Sequence, residues 1–372
     1  MAKKVLMLLS NDYSPDPRVE KEAFALVKAG YEVTVLAWNR QGSKPRVETR
    51  DGLVVRRVMT TFPPRKGLPF GHLEFLARSL IEAIRRRPDI IHSHDLDTLF
   101  QGAVSSRVIR ASLVYDSHEY YAMMVRSDVG GTLSRFIDSL ERLIVSNADL
   151  VVAANQTVLE HFPAPIKDRS IVVMNCVNLP VLERRTGSET SRLRIFYGGS
   201  LEPERFIPEL LQATMKDDRI ELRIAGRGRY EPDVLSAAKA CDRIKFLGYL
   251  SQREILAETL ASDVVFSLLS PENKNYLIAT PVKMIEAMTL GIPVLASKGT
   301  LCGEIVEREG AGIAIDWSLE EFEGAITILM NPAKRASMGE NGMMAARRDF
   351  SWKEMERRLL EAYSSLGHEV RG

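Results

Sequence analysis

Residues 281–297 read PVKMIEAMTLGIPVLAS. Thr280 and Pro281 suit the start of a helix, the first as its cap and the second in its opening turn. Met284, Ile285 and Met288 recur at helical spacing and predict a face turned to a core. Lys283 and Glu286 lie three residues apart and share a helix face. Gly291 ends the helix, Pro293 follows, and Val294-Leu295-Ala296 begins an apolar strand. A helix running into an apolar strand is the repeating unit of a parallel α/β sheet. The Lys–Glu pair has two readings. It is a solvated surface pair, or it belongs to an anion site, because backbone N–H groups and the helix dipole favour negative charge at this end.

The same alternation extends in both directions. Strands are predicted at VLMLLS from Val5, EVTVLAW from Glu32, DIIHSH from Asp89, SLVYDSH from Ser112, DLVVAAN from Asp149 and SIVVMN from Ser170. Amphipathic helices such as Arg18 to Ala29 and His72 to Arg87 fill the gaps. Near-continuous apolar strands suit a parallel sheet covered on both faces. The segment NLPVLERRTGSETSR, from Asn178 to Arg192, is polar and breaks the pattern. Strands then resume at Arg194, Ile220, Arg243, Asp263, Ile292 and Ala311. The expected organisation is an N-terminal domain over 1–178, a linker over 179–192, a second domain over 193–348 and a terminal segment over 349–372. That last segment contains an amphipathic helix after Ser351, which either packs back across the domain junction or simply ends the chain. Ligands of open α/β sheets bind outside the carboxyl ends of the strands, so the loops there should carry the chemistry.

Composition narrows the function. With 372 residues, 45% apolar content and a formal net charge of +1, the chain is globular and no general nucleic-acid binder. Cys176, Cys241 and Cys302 are far apart, form no metal spacing and fit a reduced compartment. Lys3 and Lys4 before Val5–Leu9 imitate a signal peptide, but the apolar run is short and Asn11-Asp12 follow. No stretch reaches the roughly 20 apolar residues of a spanning helix. A cytoplasmic protein is expected, in contact with a membrane at its surface if at all. The loop NDYSPDPRVEKE, from Asn11 to Glu22, lacks the glycine fingerprint of a dinucleotide site, which argues against an NAD enzyme.

Six segments together resemble one family. They are DYSPDPRVEKEAFALVKAGYEVTVLA, IIHSHDLDTL, VYDSHEYY, YGGSLEPERFIPELLQA, RIAGRG and the 281–297 stretch. In this order the chain is similar to the retaining glycosyltransferases of family 4 over essentially its whole length. The resemblance implies an α/β protein of the GT-B fold, with two Rossmann-like parallel-sheet domains facing an interdomain cleft. It implies no cofactor beyond a nucleotide-diphosphate sugar as co-substrate, a UDP- or GDP-sugar foremost, and a glycan or lipid-linked acceptor. Glu286 would accept hydrogen bonds from the ribose hydroxyls, and Lys283 would meet the donor phosphates or the loop that holds them. Gly199 and Ser200 would form the phosphate loop with Arg205 as its cation, and Gly226 would line the pocket or serve as a structural turn. His118 would lie near donor sugar and phosphate, either as a neutral hydrogen-bonding imidazole or as an imidazolium supporting leaving-group charge. Catalysis would thus fall to His118, Arg205 and Lys283. Asp16, Arg18, His94 and Asp95 would face the acceptor, unless Arg18 pairs with Glu22 one helical turn later.

The chain departs from the family pattern in three places. Ser200 stands where an arginine is common, Arg205-Phe206 where Lys-Gly is common, and Ile278 where a second glutamate is common. The loop ENKNYLIAT, from Glu272 to Thr280, then offers backbone amides or Asn275 for sugar recognition. His92, His94, Asp95 and Asp97 suggest a metal site, but the set is incomplete on one strand end, and no metal is expected. Arg65, Lys66, Arg78 and Arg85-Arg86-Arg87, near Leu68, Phe70, Leu73, Phe75 and Leu76, either touch an anionic membrane or cover a core as a solvated helix. Two other functions suit this architecture. One is a nucleotide-sugar epimerase or hydrolase, and the other is a non-catalytic two-lobed binding protein.

Overall fold

The computed structural model describes residues 2–13, 16–62, 70–125, 130–176 and 192–366. Apart from Arg192, the predicted linker lies outside them, as do Arg65, Lys66 and Leu68. Two compact units emerge: Met1–Asn175 together with Met355–Gly372, and Cys176–Glu354.

The first unit is built on an eight-stranded sheet in the order β3-β4-β2-β1-β5-β6-β7-β8. Its strands are β1 Lys4–Leu9, β2 Glu32–Trp38, β3 Val47–Arg50, β4 Leu53–Val58, β5 Ile90–His94, β6 Ser112–Ser117, β7 Leu150–Ala153 and β8 Ser170–Val172. All neighbours are parallel except β3 and β4, an edge hairpin that periodicity did not predict. The hairpin turns at Asp51-Gly52, both with positive φ (49° and 85°). The chain leaves β1 toward β2 on one side and returns to β5 on the other. The point where strand order reverses therefore lies between the ends of β1 and β5, where open sheets bind ligands.

The second unit carries six parallel strands in the order β11-β10-β9-β12-β13-β14. These are β9 Leu193–Gly198, β10 Ile220–Ala225, β11 Ile244–Phe246, β12 Val264–Ser267, β13 Val294–Ser297 and β14 Gly312–Ile315. Order reverses between β9 and β12. The loops at Gly199 and at 268–281 lie at those strand ends.

The helix of the opening stretch spans Val282–Thr289. Its N-cap is Pro281 rather than Thr280, and no side chain caps it. Met284, Ile285 and Met288 are fully buried, each worth about 1.5–3 kcal/mol relative to exposure. The terminal helix Trp352–Ser365 starts in the second unit and continues into the first.

Candidate active site

Two loops meet at the reversal point of the second sheet. The backbone N–H of Ser270 donates to the carbonyl of Glu204 at 3.1 Å, tying the segment after β12 to the turn Pro203–Arg205. Arg205 lies over the ring of Tyr276 at 4.4 Å and donates to its hydroxyl at 3.2 Å. Lys283 Nζ lies 4.1 Å from the ring centre of Tyr197, whose hydroxyl donates to Ser200 O at 2.5 Å. Among the described residues neither cation has a carboxylate within ion-pair distance. Burial, and then the charge of Arg205, push Lys283 down to about 7. Glu286 is 3% exposed and accepts a hydrogen bond from Gln252 Nε2. The Lys–Glu pair is therefore no solvated surface pair: Lys283 is half-buried and Glu286 buried.

The glycines explain how the loops come so close. A Cβ on Gly199 would lie 2.6 Å from Lys283 Nζ, and one on Gly226 would lie 1.7 Å from Gly199 O. Gly226 thus backs the Gly199 loop. Phe206, where the family pattern has glycine, keeps a left-handed backbone (φ 58°, ψ 27°). Its buried ring meets Trp317 edge-on at 5.0 Å, and that burial offsets the backbone strain. Asn273 caps the turn Lys274–Leu277 by accepting from Asn275 N–H, and the Asn275 side chain is half-buried on that turn.

In the first unit a polar cluster lies beneath the ends of β5 and β6. Asp116 accepts from Arg18 Nη2 at 2.6 Å and Nε at 3.0 Å. Arg18 also reaches Val173 O at 2.6 Å and Glu22 at 3.2 Å. His118 sits between carboxylates, Nε2 at 3.0 Å from Asp116 and Nδ1 at 3.2 Å from Asp95. Burial opposes its charge, but Asp95 and Asp116 outweigh it and raise His118 to about 9. Burial likewise opposes ionisation of Asp116, yet Arg18 and His118 hold its carboxyl well below the usual range. Asp95 has φ 59° and ψ 168°, a region that costs a side-chain-bearing residue about 1–3 kcal/mol. Asp16 caps the helix Pro17–Lys28 through Val19 N–H and accepts from Asn11 at 2.9 Å.

Family models match both units. One described as a glycosyl transferase 4-like domain covers residues 15–173, and one described as glycosyl transferases group 1 covers 181–344. The chain belongs to glycosyltransferase family 4. A GDP-mannose-dependent α-mannosyltransferase of Mycolicibacterium smegmatis is 25% identical to it, over 92% of this chain and 90% of the relative. A second relative is the GDP-mannose-dependent monoacylated α-(1-6)-phosphatidylinositol monomannoside mannosyltransferase of Corynebacterium glutamicum. It is 22% identical over 74% of this chain and 78% of its own length. Sucrose-phosphate synthase of Thermosynechococcus elongatus superposes with a TM-score of 0.77 at 18% identity, covering 97% of this chain and 98% of that one. The fold is GT-B.

Within this glycosyltransferase, the second unit brings Gly199, Ser200, Arg205, Lys283 and Glu286 to neighbouring segments. The first unit gathers Arg18, His94, Asp95 and His118 around Asp116. Two residues expected on the acceptor side are buried instead. Arg18 is 6% exposed and spends its donors on the protein, and His94 is 1% exposed, with Nδ1 3.1 Å from Asp116. Glu22, His92, His94 and Asp116 bring potential metal-ligand atoms within 4.8 Å of one another. Arg18 stands among them, within ion-pair distance of both carboxylates, so its guanidinium already supplies the positive charge. Sequence reasoning missed Gln252, Tyr197 and Tyr276, because each acts through a contact across the fold. Asp116 was visible only as a neighbour of His118.

Proposed function

We propose that this glycosyltransferase moves a mannosyl group from GDP-mannose to a hydroxyl of a lipid-linked acceptor, with retention and without a metal. The observation that carries the donor half is the pair Arg205 and Lys283, close enough for the charge of one to act on the other and, among the described residues, without a carboxylate at ion-pair distance, with Lys283 Nζ against the Gly199 loop. Burial and the charge of Arg205 disfavour the Lys283 ammonium, and an anion between the two side chains would restore it. In the reaction the bond from the anomeric carbon to the diphosphate oxygen breaks, and its electron pair stays on the diphosphate. The acceptor oxygen bonds to the same carbon and its proton passes to the departing diphosphate. Arg205 and Lys283 neutralise the charge that develops there. The GDP-mannose dependence of two mannosyltransferase relatives supports the base and the sugar.

A lipid-linked acceptor fits one surface of the first unit. The helix Phe70–Arg86 exposes Phe70, Leu73 and Ile81. A cleft of ≈ 420 Å³ beside it is lined by Arg46, Arg56, Arg57, Arg78 and Arg86, of which Arg57, Arg78 and Arg86 pair with Glu48, Glu74 and Glu82. Cations beside exposed apolar groups suit the cytoplasmic face of an anionic membrane.

Calorimetric titration with GDP, UDP and ADP tests the donor half. GDP should bind more tightly than 2′-deoxy-GDP, and Glu286→Gln should close that gap and weaken GDP about tenfold or more. Failure of every diphosphate to bind, or GDP binding untouched by Glu286→Gln, removes the proposal. An inverted anomeric product by NMR removes retention alone.

A further inference from the structure

We infer that Tyr276 is a positioning residue for Arg205, and that the 272–280 loop serves the donor's phosphates through it. The inference rests on the donor reading above and adds a residue to it. A cation in a protein is usually fixed by a carboxylate, which uses its charge and its donors together. A carboxylate beside Arg205 would compete with any incoming phosphate. An aromatic ring holds a guanidinium by its face and leaves the N–H edges available. That is the arrangement here. Tyr276 takes the face at 4.4 Å and one Nη2 donor at 3.2 Å, while Arg205 Nε is buried with no partner.

A buried, unused guanidinium N–H calls for an acceptor, and a charged oxygen is the partner that a planar donor group binds best. Lys283 repeats the device on Tyr197 at 4.1 Å, so both cations are seated on rings. Tyr276 has its own anchorage. It belongs to the turn Lys274–Leu277, capped by Asn273, and the backbone bond Ser270 to Glu204 holds that segment against Arg205's own turn. The loop that replaces the family's second glutamate thus places an aromatic face where it can aim the arginine.

Titration calorimetry with inorganic pyrophosphate on the full chain tests this. Tyr276→Leu should weaken pyrophosphate about 30-fold, because the guanidinium is then free to rotate away. Tyr276→Phe keeps the face and should recover binding to within about fivefold of wild type. Tyr276→Glu should bind worst, as its carboxylate neutralises Arg205. Melting temperatures within a few degrees of one another, and guanosine binding alike in all variants, mark positioning rather than a structural defect. Wild-type affinity in Tyr276→Leu, or Tyr276→Glu binding no worse than Tyr276→Phe, overturns the inference while leaving the donor reading intact. A wild-type protein that binds neither pyrophosphate nor any nucleoside diphosphate overturns both.

Discussion

His118 shows how much a single residue's neighbours decide. Two roles suited it in the sequence, a neutral hydrogen-bonding imidazole and a fixed cation. Both ring nitrogens lie within 3.2 Å of a carboxylate oxygen, which makes both of them donors and favours the cation. Held so, His118 is no proton acceptor near neutral pH. Its folded pKa, about 9, is above the ordinary value of 6.5, so the folded state binds a proton that the unfolded chain releases. The stability this contributes is fully present below about pH 6.5 and is lost as pH rises through 9. We predict that wild type and His118→Gln differ most in urea midpoint at pH 6 and converge by pH 10. A constant gap across that range would show that the charge plays no part.

At the scale of elements, the close approach of two strand-end loops makes its own prediction. Gly226→Ala would set a Cβ 1.7 Å from Gly199 O, a backbone atom that cannot swing aside. The Gly199 loop must shift, which should cost about 1–3 kcal/mol and weaken GDP about tenfold or more. Gly324→Ala is the control. It lies in the helix Leu319–Leu329, its Cβ meets nothing within 4 Å, and it should add about 0.5–1 kcal/mol with GDP affinity unchanged. Equal binding in both variants would contradict the packing argument. These elements also show what could be read in advance. The parallel strands were legible because burial on both faces leaves near-continuous apolar runs such as VLMLL and VVFS. The β3–β4 hairpin was not, because Val47–Arg50 is an exposed edge strand with no apolar period. Arg205, Lys283 and Glu286 were legible from residue type and place in a motif. Gln252 and Tyr276 were not, since one meets Glu286 across 34 positions and the other meets Arg205 across 71.

At the scale of the whole molecule, the chain does not finish in the unit it last built. It crosses from the first unit to the second after Asn175 and returns after Glu354. Met355, Leu359 and Tyr363 are fully buried in the first unit, and Leu366 is 6% exposed. Tyr363 meets the edge of Tyr31 at 5.7 Å, and its hydroxyl lies 2.7 Å from His92 Nδ1 within the buried polar cluster. Four such side chains bring about 6–12 kcal/mol at about 1.5–3 each, an upper bound of the same order as the whole stability of a domain, about 5–15 kcal/mol. Removing Met355–Gly372 should therefore unfold the first unit. Tyr363→Phe, which strands His92 Nδ1 without its partner, should cost only about 1–3 kcal/mol. Hydrogen exchange separates the outcomes by strand. In the truncated chain the amides of β1 and β5 should lose protection while those of β9 and β13 keep theirs. Protection retained in β1 and β5 would mean that the first unit is complete at Asn175 and that the terminal helix is only a cover.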